Sequence, residues 1–342
     1  MKLALLFIAV LALTPTASWA QAEQQEARHH GMMHAADEEH PVSKTARLTV
    51  ADDPATHTMT VRIGPVSLPA NAEHMSVPQP PTLWLTIPIN GWLTAYHPSL
   101  AGANGQGLPS KLLHHVAFYD TARPDFLCSN KEEHIFGAGA EMNDWPAIPG
   151  FGYRVHKDDR IRITAMFGNP TAENYRDVFL QVRIEYQLEK EHATGLKDVY
   201  PAWFDVMGCG ESGYELTPGE STKTGEFKVP YSGALLGVGG HLHDYGQWLV
   251  LKNARTNLTI ATLEADVDPQ GRVVSMPVKL FTGHGGVQVR SGDVIEVTDA
   301  YDNPTGKSIA DGGMGIVVGY FLPDEESQLS ALGQADERPQ TH

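Results

Sequence analysis

A chain of 342 residues with 42% hydrophobic residues and a formal charge of -16 has apolar material for about two domains. Its acidic balance excludes the clustered Lys and Arg surface that holds nucleic acid or anionic lipid. Its two cysteines, Cys128 and Cys209, exclude a thiolate zinc site and leave His, Met and carboxylates as metal donors.

At the start of the chain, Lys2 precedes an apolar run from Leu3 to Leu13, broken by Pro15 and followed by the small-residue pattern Ser18-Trp19-Ala20. This predicts a signal peptide over residues 1–20 and a periplasmic or secreted protein. The run is too short to span a bilayer, and no later segment is long and apolar enough, so no membrane anchor is expected. Residues 21–44 read as a disordered tail carrying His29, His30, Met32, Met33, His34 and His40. Imidazole and thioether donors mixed in this way suit copper in both oxidation states.

From about residue 45 the pattern becomes short strands punctuated by Gly, Pro, Asn and Asp. Strands are predicted at Thr58–Val66, Leu83–Ile89, Leu112–Tyr119, Arg160–Met166 and Val178–Tyr186, with a long Gly-rich loop from Ala101 to Ser110. After a polar connection near Glu189–Leu196, a second set is predicted at Gly225–Val229, Ala234–Leu251, Leu258–Leu263, Val273–Leu280, Asp293–Thr298 and Gly315–Leu322. Such a series predicts an all-β chain of two jelly-roll-like antiparallel β-sandwich domains, residues 45–194 and 195–325, with a disordered tail over 326–342. In an oxidising compartment Cys128 and Cys209 can pair, and a bridge would staple one domain to the other. Whether the two sulfurs meet is left open by sequence.

The sharpest local motif is Gly239-Gly240-His241-Leu242-His243. Residues i and i+2 of a strand share a face, so both imidazoles can reach one metal. The flanking glycines allow close backbone approach. The second motif is His114-His115 within Leu113–Phe118. Adjacent strand residues face opposite ways, so this pair can share an ion only at an edge, a bulge or a bend. Met314, in Gly312–Val318, would by itself be core filling. His284 lies in a glycine-rich turn, and no Ser-nucleophile elbow, phosphate loop or dinucleotide fingerprint is present.

Taken in order, these pieces resemble the copper type II, ascorbate-dependent monooxygenases, the peptidylglycine hydroxylating and dopamine β-monooxygenase enzymes. The resemblance rests on LHHVAFYD (113–120), WPAIPGFGYRV (145–155), RDVFLQVRIEY (176–186), YPAWFDVMG (200–208), GGHLHDYG (239–246), SGDVIEV (291–297) and DGGMGIVVGYF (311–321). It implies a copper held by His241, His243 and Met314, where oxygen meets substrate, and part of a second, electron-storing copper at His114 and His115.

Three departures bear on function. Where the resemblance sets the third ligand of the electron-storing copper stands Arg183, whose guanidinium stays protonated and cannot ligate. His134, His156, His97 or Glu185 could replace it, and Glu185 could equally pair with Arg183. Gly239-Gly240 stand where an Arg helps hold a substrate carboxylate, and Val318 stands where a Tyr is expected, so peptide amidation is not supported. The function expected is copper-dependent oxidation of a small organic substrate by oxygen and an external reductant. One copper is expected at His241, His243 and Met314, and a second only if the His114–His115 pair gains a ligand. A non-catalytic periplasmic copper-binding or copper-buffering protein is the alternative, and a scaffold without metal function a third reading.

Overall fold

The computed structural model describes residues 40–142, 144–192 and 195–325. The predicted signal peptide, all but the end of the tail at 21–44 and the tail at 326–342 lie outside the described residues. The strands, in order, are β1 (Arg47–Asp53), β2 (Thr58–Leu68), β3 (Leu83–Thr86), β4 (Gly91–Ala101), β5 (Leu113–Pro124), β6 (Glu132–Gly139), β7 (Phe151–Val155), β8 (Arg160–Phe167), β9 (Tyr175–Leu188), β10 (Lys197–Asp198), β11 (Tyr200–Asp205) and β12 (Tyr214–Leu216). They continue as β13 (Gly219–Lys228), β14 (Gly233–Leu242), β15 (Gly246–Asn253), β16 (Leu258–Glu264), β17 (Asp266–Val267), β18 (Val273–Ser275), β19 (Val278–Leu280), β20 (Val287–Val289), β21 (Val294–Asn303), β22 (Ile309–Gly313) and β23 (Gly315–Pro323).

The chain is all-β, with only single 3-10 turns between strands among the described residues. Period-2 burial explains the layering. In β8 every second residue, Ile161, Ile163, Ala165 and Phe167, is buried, and its neighbours are not. A six-stranded sheet ordered β1-β2-β9-β4-β7-β10 and a four-stranded sheet ordered β3-β8-β5-β6 share a core that includes Met59, Ile63, Phe118, Ile163 and Val182. Further along the chain, β11-β23-β14-β19, with β20 also on β14, faces β13-β21-β15-β16 across Phe204, Val238, Leu249, Val297 and Phe321. The large sheets are antiparallel throughout, except that the short β10 runs parallel to β7.

Two predicted strands are broken in the structure. Ala234–Leu251 is a hairpin, because the chain reverses at His243–Tyr245, where Tyr245 takes a left-handed φ of 72°. Val273–Leu280 divides into β18 and β19 around Pro277, whose nitrogen has no proton to give a ladder. Strands β1, β4 and β6 are among those that go beyond the predicted set, and β6 matters below.

The two sets of sheets meet through small residues. Almost every residue of β14 is buried, because one face covers its own core and the other meets the first set. A Cβ on Gly239 would stand 2.8 Å from Trp145 Cζ2, and one on Gly137 of β6 would stand 2.7 Å from Trp203 Cη2. Cys128 and Cys209 are joined, with their Cα atoms 5.4 Å apart. The loop that carries Cys128 also drives Phe126 into the second core, stacked on Phe321 at 5.2 Å.

Candidate metal centre

β14 ends at the HxH motif. His241 pairs with Ile316 of β23 and Leu242 with Gly315, and continuing that register sets Met314 opposite His243. Cross-strand partners share a face, so the thioether and the imidazoles lie on one side of the sheet. The hydroxyl of buried Tyr301 fixes this alignment. It accepts from the backbone N–H of His243 at 3.1 Å and of Met314 at 3.0 Å, and donates to the Met314 carbonyl at 2.6 Å.

Each imidazole is held by one nitrogen. His241 Nδ1 donates to Glu141 Oε1 at 3.0 Å, and Glu141 itself is buried in the turn after β6, where Oε1 also accepts from the Gly139 N–H at 2.8 Å. His243 Nδ1 donates to the Asp311 carbonyl at 3.2 Å. A carboxylate and a carbonyl can only accept, so in the neutral rings the lone pair falls on Nε2. Both Nε2 atoms are buried and have no hydrogen-bond partner. Buried polar atoms are rarely left so. A metal ion answers the deficit, and a held Nδ1 with a free Nε2 is the usual form of a metal-binding histidine. The residues therefore fit copper through His241, His243 and Met314.

His114 and His115 reach the same place by an irregularity. Between Leu113, opposite Phe167, and His115, opposite Met166, β5 spends one residue more than β8. That bulge turns adjacent side chains toward one side. The His114 and His115 rings lie 5.0 Å apart by centroid, and His114 lies 4.9 Å from His243. His74, which the sequence reading did not single out, stacks on His114 at 4.3 Å. The resemblance implied two separate centres, and the structure gathers both histidine pairs into one cluster. Among the described residues, no three His, Cys, Asp or Glu side chains converge as a metal-binding group, so the cluster holds no ready three-histidine site.

The expected replacements for the third ligand are elsewhere. Arg183 donates to Glu185 at 2.8 Å, and His97 bonds both Glu185 and Asp144 on the six-stranded sheet. His134 packs between Tyr119 at 4.2 Å and Trp203 at 4.5 Å, and His156 faces Asp159.

Burial keeps three of the four imidazoles neutral. It pushes His114 and His243 well below the usual imidazole range, and His115 down to about 4, with the neighbouring imidazoles adding to the effect. For His241 burial acts in the same direction, but the Glu141 charge and hydrogen bond outweigh it and the pKa is raised. Neutral imidazoles are the ligating form.

No family model matches the sequence. A Cochliobolus lunatus protein named "Probable copper-dependent oxygenase clz3" is 24% identical over 225 residues, covering 61% of this chain and 70% of that protein. A Phoma protein named "Probable copper-dependent oxygenase M1" is 26% identical over 202 residues, covering 56% of this chain and 50% of that protein. At that coarse level the chain is copper oxygenase-like. Among solved structures, the major capsid protein P2 of bacteriophage PM2 aligns with 78% of this chain and 99% of its own, at 10% identity and a TM-score of 0.33. That likeness is too slight to carry an argument.

Glu141, Tyr301 and His74 escaped the sequence reading because each belongs to the site only through long-range contacts. The one usable signal was the Gly-rich stretch Gly137–Glu141: a Cβ on Gly139 would stand 2.7 Å from His241 Cε1 and 2.6 Å from Glu141 Oε2, so glycine there admits the ring.

Proposed function

We propose that this protein is an exported copper-dependent monooxygenase that oxidises a small organic substrate with oxygen and an external reductant. The reading is carried by the paired, buried, unpartnered Nε2 atoms of His241 and His243, beside Met314. Copper bound there supplies oxygen activation and one-electron chemistry, and a thioether ligand favours the reduced ion. The chain's own residues do the positioning. Glu141 keeps His241 in the tautomer that offers Nε2, the Asp311 carbonyl does the same for His243, and Tyr301 locks the His243 and Met314 backbones together. Gly239 and Gly240 present no charged group before the histidines, so the substrate is neutral or bulky rather than a peptide carboxylate.

The test is copper stoichiometry and oxygen consumption on the full exported chain. One copper should be lost in His241→Ala, reduced-ion affinity should fall most in Met314→Leu, and glycine-extended peptides should not be hydroxylated. Unchanged copper in His241→Ala would refute the centre. The close imidazole cluster and the His- and Met-containing tail favour a second reading, a copper-holding protein. Copper bound without product from any reductant would select it.

A further inference from the structure

Oxidising a C–H bond with one atom of oxygen while the other leaves as water consumes two electrons, and one copper moving between its two oxidation states holds one. Arg183 stands where an electron-storing copper would take its third ligand, and among the described residues no three-histidine site replaces it. Single electrons must therefore reach the HxH-Met site from outside, and a row of rings along β6 leads there. Gly137 and Gly139 lie two apart on that strand and share a face. Trp203 of β11 covers the first, its Cη2 2.7 Å from where a Cβ would stand, and His241 covers the second, its Cε1 also at 2.7 Å. The indole and the imidazole are thus side by side. His134 joins the same face through an irregularity. Between Phe118, opposite Phe136, and Tyr119, opposite His134, β6 spends one residue more than β5. Ile135 and Phe136 therefore both turn into the core, and His134 comes out on the side of Gly137. There its carbonyl accepts from Trp203 Nε1 at 2.8 Å, and its ring lies 4.5 Å from the indole and 4.2 Å from the Tyr119 ring by centroid. The Arg162 guanidinium covers the outer end, 4.1 Å from the Tyr119 centroid. Burial and the charges of Lys131 and Arg162 hold His134 down at about 3, so its ring is neutral.

Resting on the copper reading above, we propose that Tyr119, His134 and Trp203 form a chain of ring contacts that carries electrons one at a time from an external reductant to copper held at His241. Electron transfer weakens steeply across empty space and far less across packed atoms, and these rings follow in series from half-buried Tyr119 to the indole beside His241. In each passage the donor loses one electron and the cupric ion gains it. No bond in the rings is made or broken, and the indole proton stays on Nε1, held by the His134 carbonyl. The three rings ligate no metal, so removing one should slow reduction and leave copper content unchanged.

The test uses the full chain loaded with copper(II), with Thr121→Cys introduced to carry a ruthenium photosensitiser two residues from Tyr119. Thr121 is exposed and the native cysteines are joined to each other, so the label meets one thiol. A flash with a sacrificial donor sends one electron from the reduced label, and freeze-quench EPR follows loss of the cupric signal. Only the signal absent in His241→Ala is read, which sets aside copper on the tail. Loss should be fast in the parent and in Tyr119→Phe, which keeps the ring. The fast phase should vanish in Trp203→Leu and in Tyr119→Leu, at unchanged starting signal. Melting of the metal-free variants checks folding, and if Trp203→Leu melts early the two Tyr119 variants decide. A fast phase that survives either leucine variant, or that is lost in Tyr119→Phe as well, overturns the route. A parent with no cupric signal dependent on His241 fails the copper reading and takes the route with it, whereas that signal with no fast phase overturns the route alone.

Discussion

The two histidine pairs are built on opposite plans. His241 and His243 close a regular strand, each with one nitrogen anchored to an acceptor and the other buried and bare. His114 and His115 ride a bulge and contact other imidazoles, His74 and His243. The first pair is oriented before metal arrives, by acceptors that fix the tautomer. The second is placed by the bulge, and its rings pack on one another and on neighbouring imidazoles. Preorganisation of this kind is unequal within one cluster, so copper is expected at the HxH-Met site.

The largest effect should come from cutting the tie between the two halves. The Cys128–Cys209 bridge links residues separated by 81 positions. Cys128→Ser with Cys209→Ser should cost about 2–5 kcal/mol in denaturant unfolding. Because the same loop seats Phe126 in the second core, copper affinity at the HxH-Met site should fall with the stability. Unchanged stability and copper affinity would show that the halves hold together without the bridge.

Glu141→Gln separates the two plans. It keeps an acceptor near His241 Nδ1 but removes the charge, and copper affinity at the HxH-Met site should drop about 10–100-fold. Unchanged affinity in isothermal titration would erase the distinction. Tyr301→Phe should act on the same side of the comparison. It strands the N–H groups of His243 and Met314, at a cost of about 1–3 kcal/mol in unfolding free energy, and should weaken reduced copper most, since Met314 loses its register.

The smallest effect is a pH slope in the support beneath β6. Tyr153 has one hydroxyl proton, yet stands 2.9 Å from Asp120 Oδ2 and 2.6 Å from Glu133 Oε2, so one carboxyl must carry a proton. Burial raises Glu133 from 4.5 to about 7, against the opposing pull of Arg123. A carboxyl raised in the folded state contributes stability that is complete below its unfolded pKa and is lost as pH rises through the folded value. Stability should therefore decline between about pH 4.5 and 7, and Glu133→Gln should flatten the decline. An unchanged slope in urea melts across that window would place the titration elsewhere.

Much of the scaffold was legible in the sequence, because strand burial has period 2 and turn residues mark its ends. Ile161, Ile163, Ala165 and Phe167 announce the inward face of β8. The HxH spacing was readable for the same reason, since a period of 2 places His241 and His243 on one side whatever surrounds them. β6 was not readable: Gly137, Ala138 and Gly139 carry no strand-forming side chains, and they are a strand because they pair with β5, leaving room for Trp203 and His241.

The sequence by itself determined the strand-rich class, the shared face of His241 and His243, and the acceptor and donor types from which any metal site must be made. These follow from local geometry and side-chain chemistry. Only the tertiary structure decided that His114 lies on a bulge, that Glu141 holds His241 across 100 residues of chain, and that His74 and Met166 flank the second pair. Those contacts join segments far apart in sequence, and which segments meet is settled by the packing of two cores against each other, a property no local pattern encodes.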